Sequence, residues 1–253
     1  MFVEERQNKI LELLNENGKV RVKDLSLLFK VTEDLIRKDL TTLEDRGLLK
    51  KAYGGAVLVT TNVHRESAEM RKDVNIKGKK EIAKKALSLI NKNNVIFLDI
   101  STVNIEVAYL LAKENIVCTV VTNMLEIIQI LSMSTNIKLF FIGGEFDYGK
   151  DGFVGELSNI LINMFKFDIS FMGVVAIDAF EDSVYTYMPD DGISKQHVLD
   201  NSKASYLLCE KEKFYQTGNF KYAKITDCTA IVTENNLNEK ISKQLNKLGI
   251  SIK

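Results

Sequence analysis

The stretch VKDLSLLFKVTEDLIRKDLTTLEDRG, residues 22–47, decides how the first part of the chain folds. Its apolar residues recur at helical spacing on both sides of Val31-Thr32, which predicts two short helices joined by a tight turn. Thr32 is a good N-cap for the second of these helices, and Gly47 ends that helix. The second helix has its apolar residues on one side, at Leu35, Ile36, Leu40 and Leu43.

The segments on either side of this stretch complete a small domain. Residues 4–16 carry an apolar stripe at helical spacing and are followed by Asn17-Gly18, a pair typical of a helix C-terminus. Residues 19–22 alternate like a very short strand, and residues 48–58 hold two short apolar runs around YGG, which is typical of a hairpin. Three helices followed by a hairpin predict a winged helix-turn-helix domain.

The polar side of this domain indicates what it binds. On a DNA-binding interpretation, the residues within reach of phosphates and base edges are Arg37, Lys38 and Thr41 in the helix and Lys50 and Lys51 in the hairpin. A small helical bundle with a solvated charged face is the alternative. Residues 1–57 hold 11 Lys or Arg and 10 Asp or Glu, so their net charge does not separate the two interpretations. The order of the elements favours DNA binding.

The composition excludes several classes of protein. The chain has 253 residues, of which 45% are hydrophobic and 27% charged, and its formal net charge is zero. This indicates a globular chain long enough for two modest domains, and excludes a disordered chain or one that is basic overall. The N-terminus lacks the apolar core of a signal peptide, and no apolar run reaches the ~18 residues of a membrane helix. We therefore expect a cytoplasmic protein that does not contact a membrane.

Cysteine and histidine are too sparse to suggest a metal site. Cys118, Cys209 and Cys228 have no metal-ligand spacing, and we expect them to be reduced structural thiols. The chain has two histidines, His64 and His197, and no closely spaced pair of cysteines. The sequence therefore predicts neither a zinc site nor another cofactor.

From residue 77, after a polar linker at residues 59–76, the sequence alternates between helical and strand patterns. The expected strands are Val95–Leu98, Ile116–Val121, Ile137–Ile142, Phe167–Val175, Tyr206–Leu208 and Ala230–Val232. The expected helices are Ile82–Ile90, Ile105–Leu111, Leu125–Leu131, Leu157–Phe165 and residues 238–248. Near-continuous apolar strands separated by helices predict a three-layer α/β domain with a mainly parallel sheet. The predicted domains are thus residues 1–58 and 77–253.

Small, hydroxyl and glycine residues follow four of these strands. They are Asp99-Ile100-Ser101-Thr102, Thr122-Asn123, Gly143-Gly144-Glu145 and Gly173. Ligands of an open parallel sheet bind beyond the carboxyl ends of the strands, where exposed amides and helix N-termini make an anion site. Each group taken alone has ordinary turn chemistry as its alternative, and Lys195 taken alone is a solvated charge. Their coincidence favours a small anionic ligand, of which phosphate is the natural example.

Short sequence motifs occur along both domains in the order typical of one protein family. The first domain holds ERQNKILELL, VKDL, IRKDL and YGGA, and the second holds KKEIAKKALSLI, VIFLD, VVTN, FIGGE, FVGE and FDISFMG. With these words the chain resembles the DeoR family of bacterial transcription regulators over residues 4–58 and about 77–234. The resemblance implies a winged helix-turn-helix followed by a sensor domain with a ribose-5-phosphate isomerase-like fold.

The resemblance also implies two sets of site residues. Those expected to contact double-stranded operator DNA are Thr32, Glu33, Asp34, Arg37, Lys38, Thr41, Lys50, Lys51 and Tyr53. Those expected to bind a phosphorylated sugar or related metabolite are Asp99, Ser101, Thr102, Asn123, Gly143, Gly144 and Lys195.

The chain departs from the family pattern at several of these places. Ser101 stands where the family has a glycine that lets backbone approach a phosphate, and Tyr185 and Tyr187 would narrow the pocket. A different phosphorylated ligand or a weakened site is the alternative to a standard sugar phosphate. In the first domain, Glu33 and Asp34 either accept from cytosine N4 in the major groove or point into solvent.

The family resemblance implies a repressor of a carbohydrate-utilisation operon. We expect a homodimer or homotetramer whose modules contact half-sites ~34 Å apart and whose spacing responds to the ligand. Two alternatives remain open. A sugar-phosphate isomerase would use Asp178 or Glu181 as a general base with Lys195 as electrophile, and a third possibility is a second domain that only oligomerises. The winged module and the absence of nucleotide-binding and nucleophile motifs argue against an enzyme.

Overall fold

The structure is a computed structural model that describes residues 3–45, 48–57, 71–147, 149 and 151–253. The chain divides into two compact units, residues 1–62 and 63–253, which we call the N-terminal and C-terminal units. Gly47 and most of the expected linker lie outside the described residues.

The N-terminal unit has the predicted order of elements. Its helices are α1 (Val3–Asn17), α2 (Val22–Phe29) and α3 (Glu33–Asp45), and its strands are β1 (Lys19–Arg21), β2 (Lys50–Ala52) and β3 (Gly55–Val57). The strands form an antiparallel sheet in the order β1-β3-β2. Gly18 after α1 has φ +70° and Lys30 after α2 has φ +54°, so both helices end with a left-handed residue. The predicted winged helix-turn-helix is confirmed.

One small apolar core holds the N-terminal unit together. It contains the buried residues Ile10, Leu14, Val20, Val22, Leu25, Ile36, Leu40, Leu43, Leu49 and Ala56. The prediction that Leu35 packs inward holds only in part, because this side chain is half-buried. The rest of the predicted apolar side of α3 lies in the core.

A buried ion pair joins α1 to α3. Arg6 Nε and NH2 donate to the two carboxylate oxygens of Asp39 at 2.6 and 3.2 Å, and Gln7 Nε2 donates to Asp39 at 3.2 Å. All three side chains are buried. A two-point contact fixes the orientation of both partners as well as their distance. The pair therefore sets which face of α3 points to solvent.

The C-terminal unit is built on a seven-stranded sheet in which all pairs are parallel. Its strands are β4 (Val95–Leu98), β5 (Cys118–Thr122), β6 (Ile137–Phe141), β9 (Phe167–Gly173), β12 (Ser202–Leu208), β14 (Ala230–Val232) and β15 (Ser251–Ile252). Their order across the sheet is β15-β14-β12-β9-β4-β5-β6. The six predicted strands are confirmed with small shifts at their ends, and β15 was not foreseen.

Helices cover both faces of this sheet. They are α4 (Ile76–Leu87), α5 (Thr102–Glu114), α6 (Leu125–Leu131), α7 (Glu156–Asn163), α8 (Pro189–Asp200) and α9 (Glu239–Lys247). Ile96 of β4 lies in the apolar cluster formed with α4, α5 and α6, whereas its neighbour Phe97 lies in the cluster formed with α7, α8 and α9. Alternate residues of one strand thus feed two cores, and the predicted three-layer α/β fold is confirmed. Among the described helices, none is long and apolar enough to cross a membrane.

Two small sheets and one helix were not predicted. A hairpin joins β7 (Glu145–Asp147) to β8 (Gly152–Val154), and a three-stranded antiparallel sheet contains β10 (Ala176–Asp178), β11 (Ser183–Thr186) and β13 (Phe220–Ala223). Helix α8 escaped prediction because four of its buried residues are Asp191, Gly192, Ser194 and Lys195, which make no apolar stripe.

Three lysines of α4, Lys77, Lys80 and Lys84, are exposed, whereas two others make contacts inside the C-terminal unit. Lys79 is buried, and its Nζ donates to the backbone oxygens of Arg71 and Val74, the latter at 2.7 Å. Lys85 Nζ donates to the oxygen of Thr233 at 2.7 Å. The length of the lysine side chain allows these amines to reach backbone oxygens of other segments. Helix α4 accordingly begins at Ile76, six residues before the predicted start.

Asp39→Ala is expected to destabilise the N-terminal unit by about 3–5 kcal/mol, because it leaves the buried Arg6 guanidinium without its carboxylate. The matched control is Glu12→Ala, which breaks the exposed Lys9–Glu12 pair of 2.6 Å and should cost less than about 1 kcal/mol. Urea unfolding followed by circular dichroism measures both, and hydrogen exchange at α3 locates the loss. Equal losses in the two variants would contradict the role of the pair.

Candidate functional site

The recognition helix α3 begins with the predicted cap. Thr32 Oγ1 accepts a hydrogen bond from the backbone N–H of Leu35 at 3.3 Å. One turn on, Arg37 NH2 donates to Glu33 Oε2 at 2.7 Å, and Arg37 Nε lies 3.9 Å from Asp34 Oδ1. The two acids are exposed, but they are not simply solvated, because both lie beside the guanidinium. The charge of Arg37 is thus largely balanced within its own helix.

The wing is fixed to α3 by the carboxylate of Glu44. Glu44 Oε1 accepts from the backbone N–H of Lys51 at 2.8 Å, and Lys51 Nζ lies 3.3 Å from Glu44 Oε2. The same Nζ donates to Thr41 Oγ1 at 3.0 Å. The hydrogen bond from the Lys51 N–H is the main cause that lowers the pKa of Glu44. Lys51 and Thr41 therefore hold the wing against the helix as well as facing solvent.

The remaining residues of the expected DNA surface are exposed. Lys38 on α3 and Lys50 on β2 are open to solvent, and neither forms an ion pair within the described residues. Tyr53 lies fully exposed at the tip of the wing. All nine residues of the predicted interface thus lie on the surface of one winged module, on α3, its cap and the wing.

In the C-terminal unit, a buried lysine lies between two buried carboxylates. Lys195 of α8 donates to Asp99, the residue that follows β4, and lies 3.6 Å from Asp191 one helical turn away. Thr186 at the end of β11 donates to the other oxygen of Asp191, and the backbone N–H of Gly173 donates to Asp99 at 2.8 Å. Each charged side chain is about 95% or more buried. The interpretation of Lys195, taken alone, as a solvated surface charge is therefore wrong.

The charged groups of this cluster shift one another's pKa values. Burial lowers the pKa of Lys195, but the charges of Asp191 and Asp99 outweigh it, so that the pKa of Lys195 is raised overall. Burial raises the pKa of Asp99 in spite of the opposing charge of Lys195. The cluster holds one cation against two carboxylates. It can therefore accept hydrogen bonds from hydroxyl groups at the carboxylates and donate from the ammonium.

Two further polar side chains frame the cluster. Asn104 of α5 donates to the backbone oxygens of Asp99 and Phe171, both at 2.8 Å, which ties the first turn of α5 to the ends of β4 and β9. Tyr222 of β13 donates to the oxygen of Gly173 at 3.3 Å, and its ring lies 5.9 Å from Lys195 Nζ. The predicted set missed Asn104, Tyr222, Asp191 and Thr186, because their roles depend on elements far apart in sequence.

Ser101 lies at the start of α5. Its Oγ accepts from the backbone N–H of Val103 at 3.2 Å, so it caps the helix. A Cβ on Gly173 would lie 2.6 Å from Ser101 Cβ, so the end of β9 approaches this cap closely. Thr102 is buried as the first residue of α5. The first turn of α5 thus follows Asp99 by three residues, at the carboxyl end of β4.

The other predicted ligand residues lie around the hairpin β7–β8. Asn123 Nδ2 donates to the oxygen of Phe153 at 2.9 Å, while its Oδ1 is buried without a hydrogen-bond partner. The carbonyl of Gly143 accepts a hydrogen bond from Ser158 Oγ at 2.8 Å. A Cβ on Gly144 would lie 2.0 Å from Ser158 Oγ. Gly144 therefore permits a contact with α7 that no other residue would allow.

A chain of contacts joins the two groups of predicted residues. Ser194, which precedes Lys195 on α8, donates to Asn159 of α7 at 2.7 Å, and α7 contacts Gly143 through Ser158. A Cβ on Gly152 of the hairpin would lie within 2.5 Å of Ile100, between Asp99 and Ser101. Tyr185 and Tyr187, expected in a ligand loop, instead lie in and just after strand β11.

Lys195→Met is expected to cost about 3–5 kcal/mol of stability at pH 7, because it leaves two buried carboxylates without a cation. Loss of the ammonium raises the pKa of Asp99 further above its unfolded value, so the folded variant binds more protons than the unfolded chain. Its stability should therefore fall as pH rises, and the deficit against wild type should be smaller at pH 5 than at pH 7. Urea unfolding at both pH values measures this.

Lys203→Met is the matched control, since Lys203 forms an exposed pair with Asp168 at 2.7 Å. It should cost less than about 1 kcal/mol. A deficit in Lys195→Met that does not change with pH would contradict the electrostatic explanation.

Comparison with known proteins gives a consistent result for both units. Residues 6–62 match the model of the DeoR-like helix-turn-helix domain, and residues 74–235 match that of the DeoR C terminal sensor domain. A solved ribose 5-phosphate isomerase A from Methanocaldococcus jannaschii is 15% identical, with a TM-score of 0.41 over 55% of this chain and 54% of that chain.

Curated relatives match almost the whole chain. The L-fucose operon activator of Haemophilus influenzae is 31% identical over 94% of each chain, and the lactose phosphotransferase system repressor of Staphylococcus aureus is 30% identical over 94% of each. A putative aga operon transcriptional repressor of Escherichia coli O157:H7 is 28% identical over 98% of this chain and 92% of that protein. Two matching domains and relatives aligned over more than nine-tenths of their length establish that this chain belongs to the DeoR family of transcriptional regulators.

Proposed function

We propose that this chain is a DNA-binding repressor of a carbohydrate-utilisation operon, released or tuned by a phosphorylated sugar-like metabolite. The observation that carries the proposal is the pairing of two features. One is an exposed recognition helix with a wing, and the other is a buried cluster of Asp99, Asp191 and Lys195 at the carboxyl edge of a parallel sheet. Relatives named as sugar-operon regulators support it.

The N-terminal unit supplies the DNA contacts of this function. The first turns of α3 enter the major groove, where Arg37 and Lys38 reach base edges and phosphates, and the wing brings Lys50 and Tyr53 to the backbone. Because the Arg6–Asp39 pair fixes the rotation of α3, these side chains share one exposed face. Two such modules in a homodimer or homotetramer would contact half-sites about one helical turn apart.

The C-terminal unit supplies the ligand site. Sugar hydroxyl groups donate to the carboxylates of Asp99 and Asp191 and accept from Lys195, while the N–H groups at the start of α5 and the backbone at Gly143-Gly144 hold the phosphoryl group. The buried Oδ1 of Asn123 has no partner and is suited to accept from a ligand hydroxyl. Because β9 approaches Ser101 closely, this serine leaves less room for a ligand at this edge of the sheet than a glycine at position 101 would.

A regulator without catalysis fits better than an isomerase. Asp178 Oδ1 accepts from the backbone N–H groups of Phe180 and Glu181 at 2.8 and 3.0 Å, which uses the proposed base to hold a turn. Glu181 is exposed, with Tyr185 Oη 3.4 Å from its carboxylate. Within the described residues, the ion-pair partners of Lys195 are Asp99 and Asp191. These contacts support a role in binding.

The ligand regulates the protein by favouring one arrangement of the sensor. It shifts the population of the DNA-binding form only by its difference in affinity for the two arrangements. The proposed division of labour is residues 1–58 for DNA, 59–76 as the linker and 77–253 for sensing and oligomerisation.

Arg37→Ala is expected to lower affinity for a duplex selected by the wild-type protein by about tenfold or more, because it removes a base-edge contact. Because Glu33 largely balances the charge of Arg37, the slope of log affinity against log salt should fall by less than one phosphate contact. Lys9→Ala, which removes a cation from α1, is the control. Fluorescence anisotropy at several salt concentrations measures both variants, and unchanged affinity and slope in Arg37→Ala would remove that residue from the interface.

Thermal stabilisation by phosphorylated sugars tests the sensor. A panel that includes ribose 5-phosphate, fructose 1-phosphate and glucose 6-phosphate is expected to raise Tm for at least one member, while the unphosphorylated sugars do not. The same member should change duplex affinity and should be recovered unaltered. Isomerised product would instead establish the enzyme alternative. If no member of the panel raised Tm, only the oligomerising role would be left for the C-terminal unit.

A further inference from the structure

An acid and a base on the exposed face of α3 neutralise each other. Arg37 NH2 and Glu33 Oε2 are 2.7 Å apart, and about half of each side chain is exposed. Asp34 adds a second carboxylate at 3.9 Å from Arg37 Nε. The helix that meets DNA first therefore presents two acids beside its leading arginine, although phosphates repel acids.

The stability of the helix does not account for this arrangement. An exposed pair at positions i and i+4 contributes only about 0.3–0.5 kcal/mol. Acids in a first turn also interact favourably with the helix dipole, but this is available to Asp34 without any contact between Glu33 and Arg37. The contact has its larger effect on what Arg37 can do at a DNA surface.

Pairing changes how Arg37 contributes to binding. Non-specific affinity depends on the number of phosphates that cations neutralise, and a guanidinium already balanced by a carboxylate contributes less to it. Lys51 is likewise paired with Glu44, whereas Lys38 and Lys50 form no ion pair within the described part of the unit. Among the cations of α3 and the wing, Lys38 and Lys50 are thus the ones whose charge stays available to the DNA backbone.

The geometry also suits base edges. Arginine contacts guanine O6 and N7, and glutamate accepts from cytosine N4. The guanidinium has five N–H donors and the carboxylate has two acceptor oxygens. The single Arg37 NH2–Glu33 Oε2 contact therefore leaves groups on both side chains that can contact neighbouring base pairs.

We infer that Glu33 is a specificity-determining residue of this regulator, which restrains Arg37 from non-specific phosphate contacts and selects a cytosine next to the guanine contacted by Arg37. The inference rests on the proposed DNA-binding function and does not depend on the identity of the effector. A wild-type protein that selected no duplex would overturn the proposed function, whereas the variants below test the role of Glu33. The chemistry recognised is a C/G step in each half-site.

Glu33→Gln tests this, because glutamine keeps the length and hydrogen-bonding ability of the side chain but not its charge. Each protein first selects duplexes from a randomised library, and anisotropy then measures affinity for the selected duplex and for an unrelated one. In Glu33→Gln we expect affinity for the unrelated duplex to rise about 3–10-fold. We expect the salt slope to steepen by about 0.9 and preference for the cytosine to fall about tenfold.

Two controls separate this role from a general effect of charge or structure. Glu12→Gln removes the same charge from the exposed pair on α1 and should change every affinity less than about twofold. The exchange Glu33→Arg with Arg37→Glu keeps the charges paired, so it should retain weak binding to the unrelated duplex but select a different step. Circular dichroism verifies the fold of each variant.

The outcomes decide the inference. Glu33→Gln behaving like Glu12→Gln would overturn it, and so would equal losses of affinity for both duplexes with an unchanged salt slope, since that is the mark of a structural role. An exchange variant that selects the wild-type step would overturn the base-contact part as well.

Discussion

The contact between Lys195 and Asp99 is the interaction on which the C-terminal unit depends most. It joins the end of β4, at the centre of the sheet, to α8, and through Asp191 and Thr186 it reaches the small antiparallel sheet that contains β11. Buried charges are costly unless they are paired and hydrogen-bonded. The three charges and their backbone donors therefore have to form together, and their formation positions α8 over the strand ends.

The N-terminal unit uses the same device on a smaller scale. Arg6, Gln7 and Asp39 form a buried polar contact inside an apolar core, and its geometry sets the rotation of α3. An apolar core alone tolerates small rotations of a helix, whereas a carboxylate held at both oxygens does not. In both units, then, buried ion pairs help to orient the groups that we propose bind partners.

The surface of the DNA-binding unit follows a different rule. Glu33 with Arg37 and Glu44 with Lys51 are exposed pairs that add little to stability. They determine instead which cations remain available to a polyanion and how firmly the wing is held beside α3. A basic module with its charges unpaired would bind duplex DNA tightly at any sequence. Charge balance on the recognition surface favours discrimination between sequences.

The sequence by itself determined the elements with strong local signals. The Asn17-Gly18 end of α1, the Thr32 cap, the apolar side of α3 and six buried strands could be predicted because helix and strand periodicity depends only on near neighbours. Asp99 could be placed at a strand end from the sequence pattern, whereas Lys195 was identified only through family resemblance. Tertiary structure alone decided that they touch and that Asp191 completes their cluster. It also decided that Lys79 is buried and that α8 is a helix at all. Those features come from partners 4 to 96 residues apart. A buried polar residue that is satisfied by a distant partner leaves no periodic pattern in the chain.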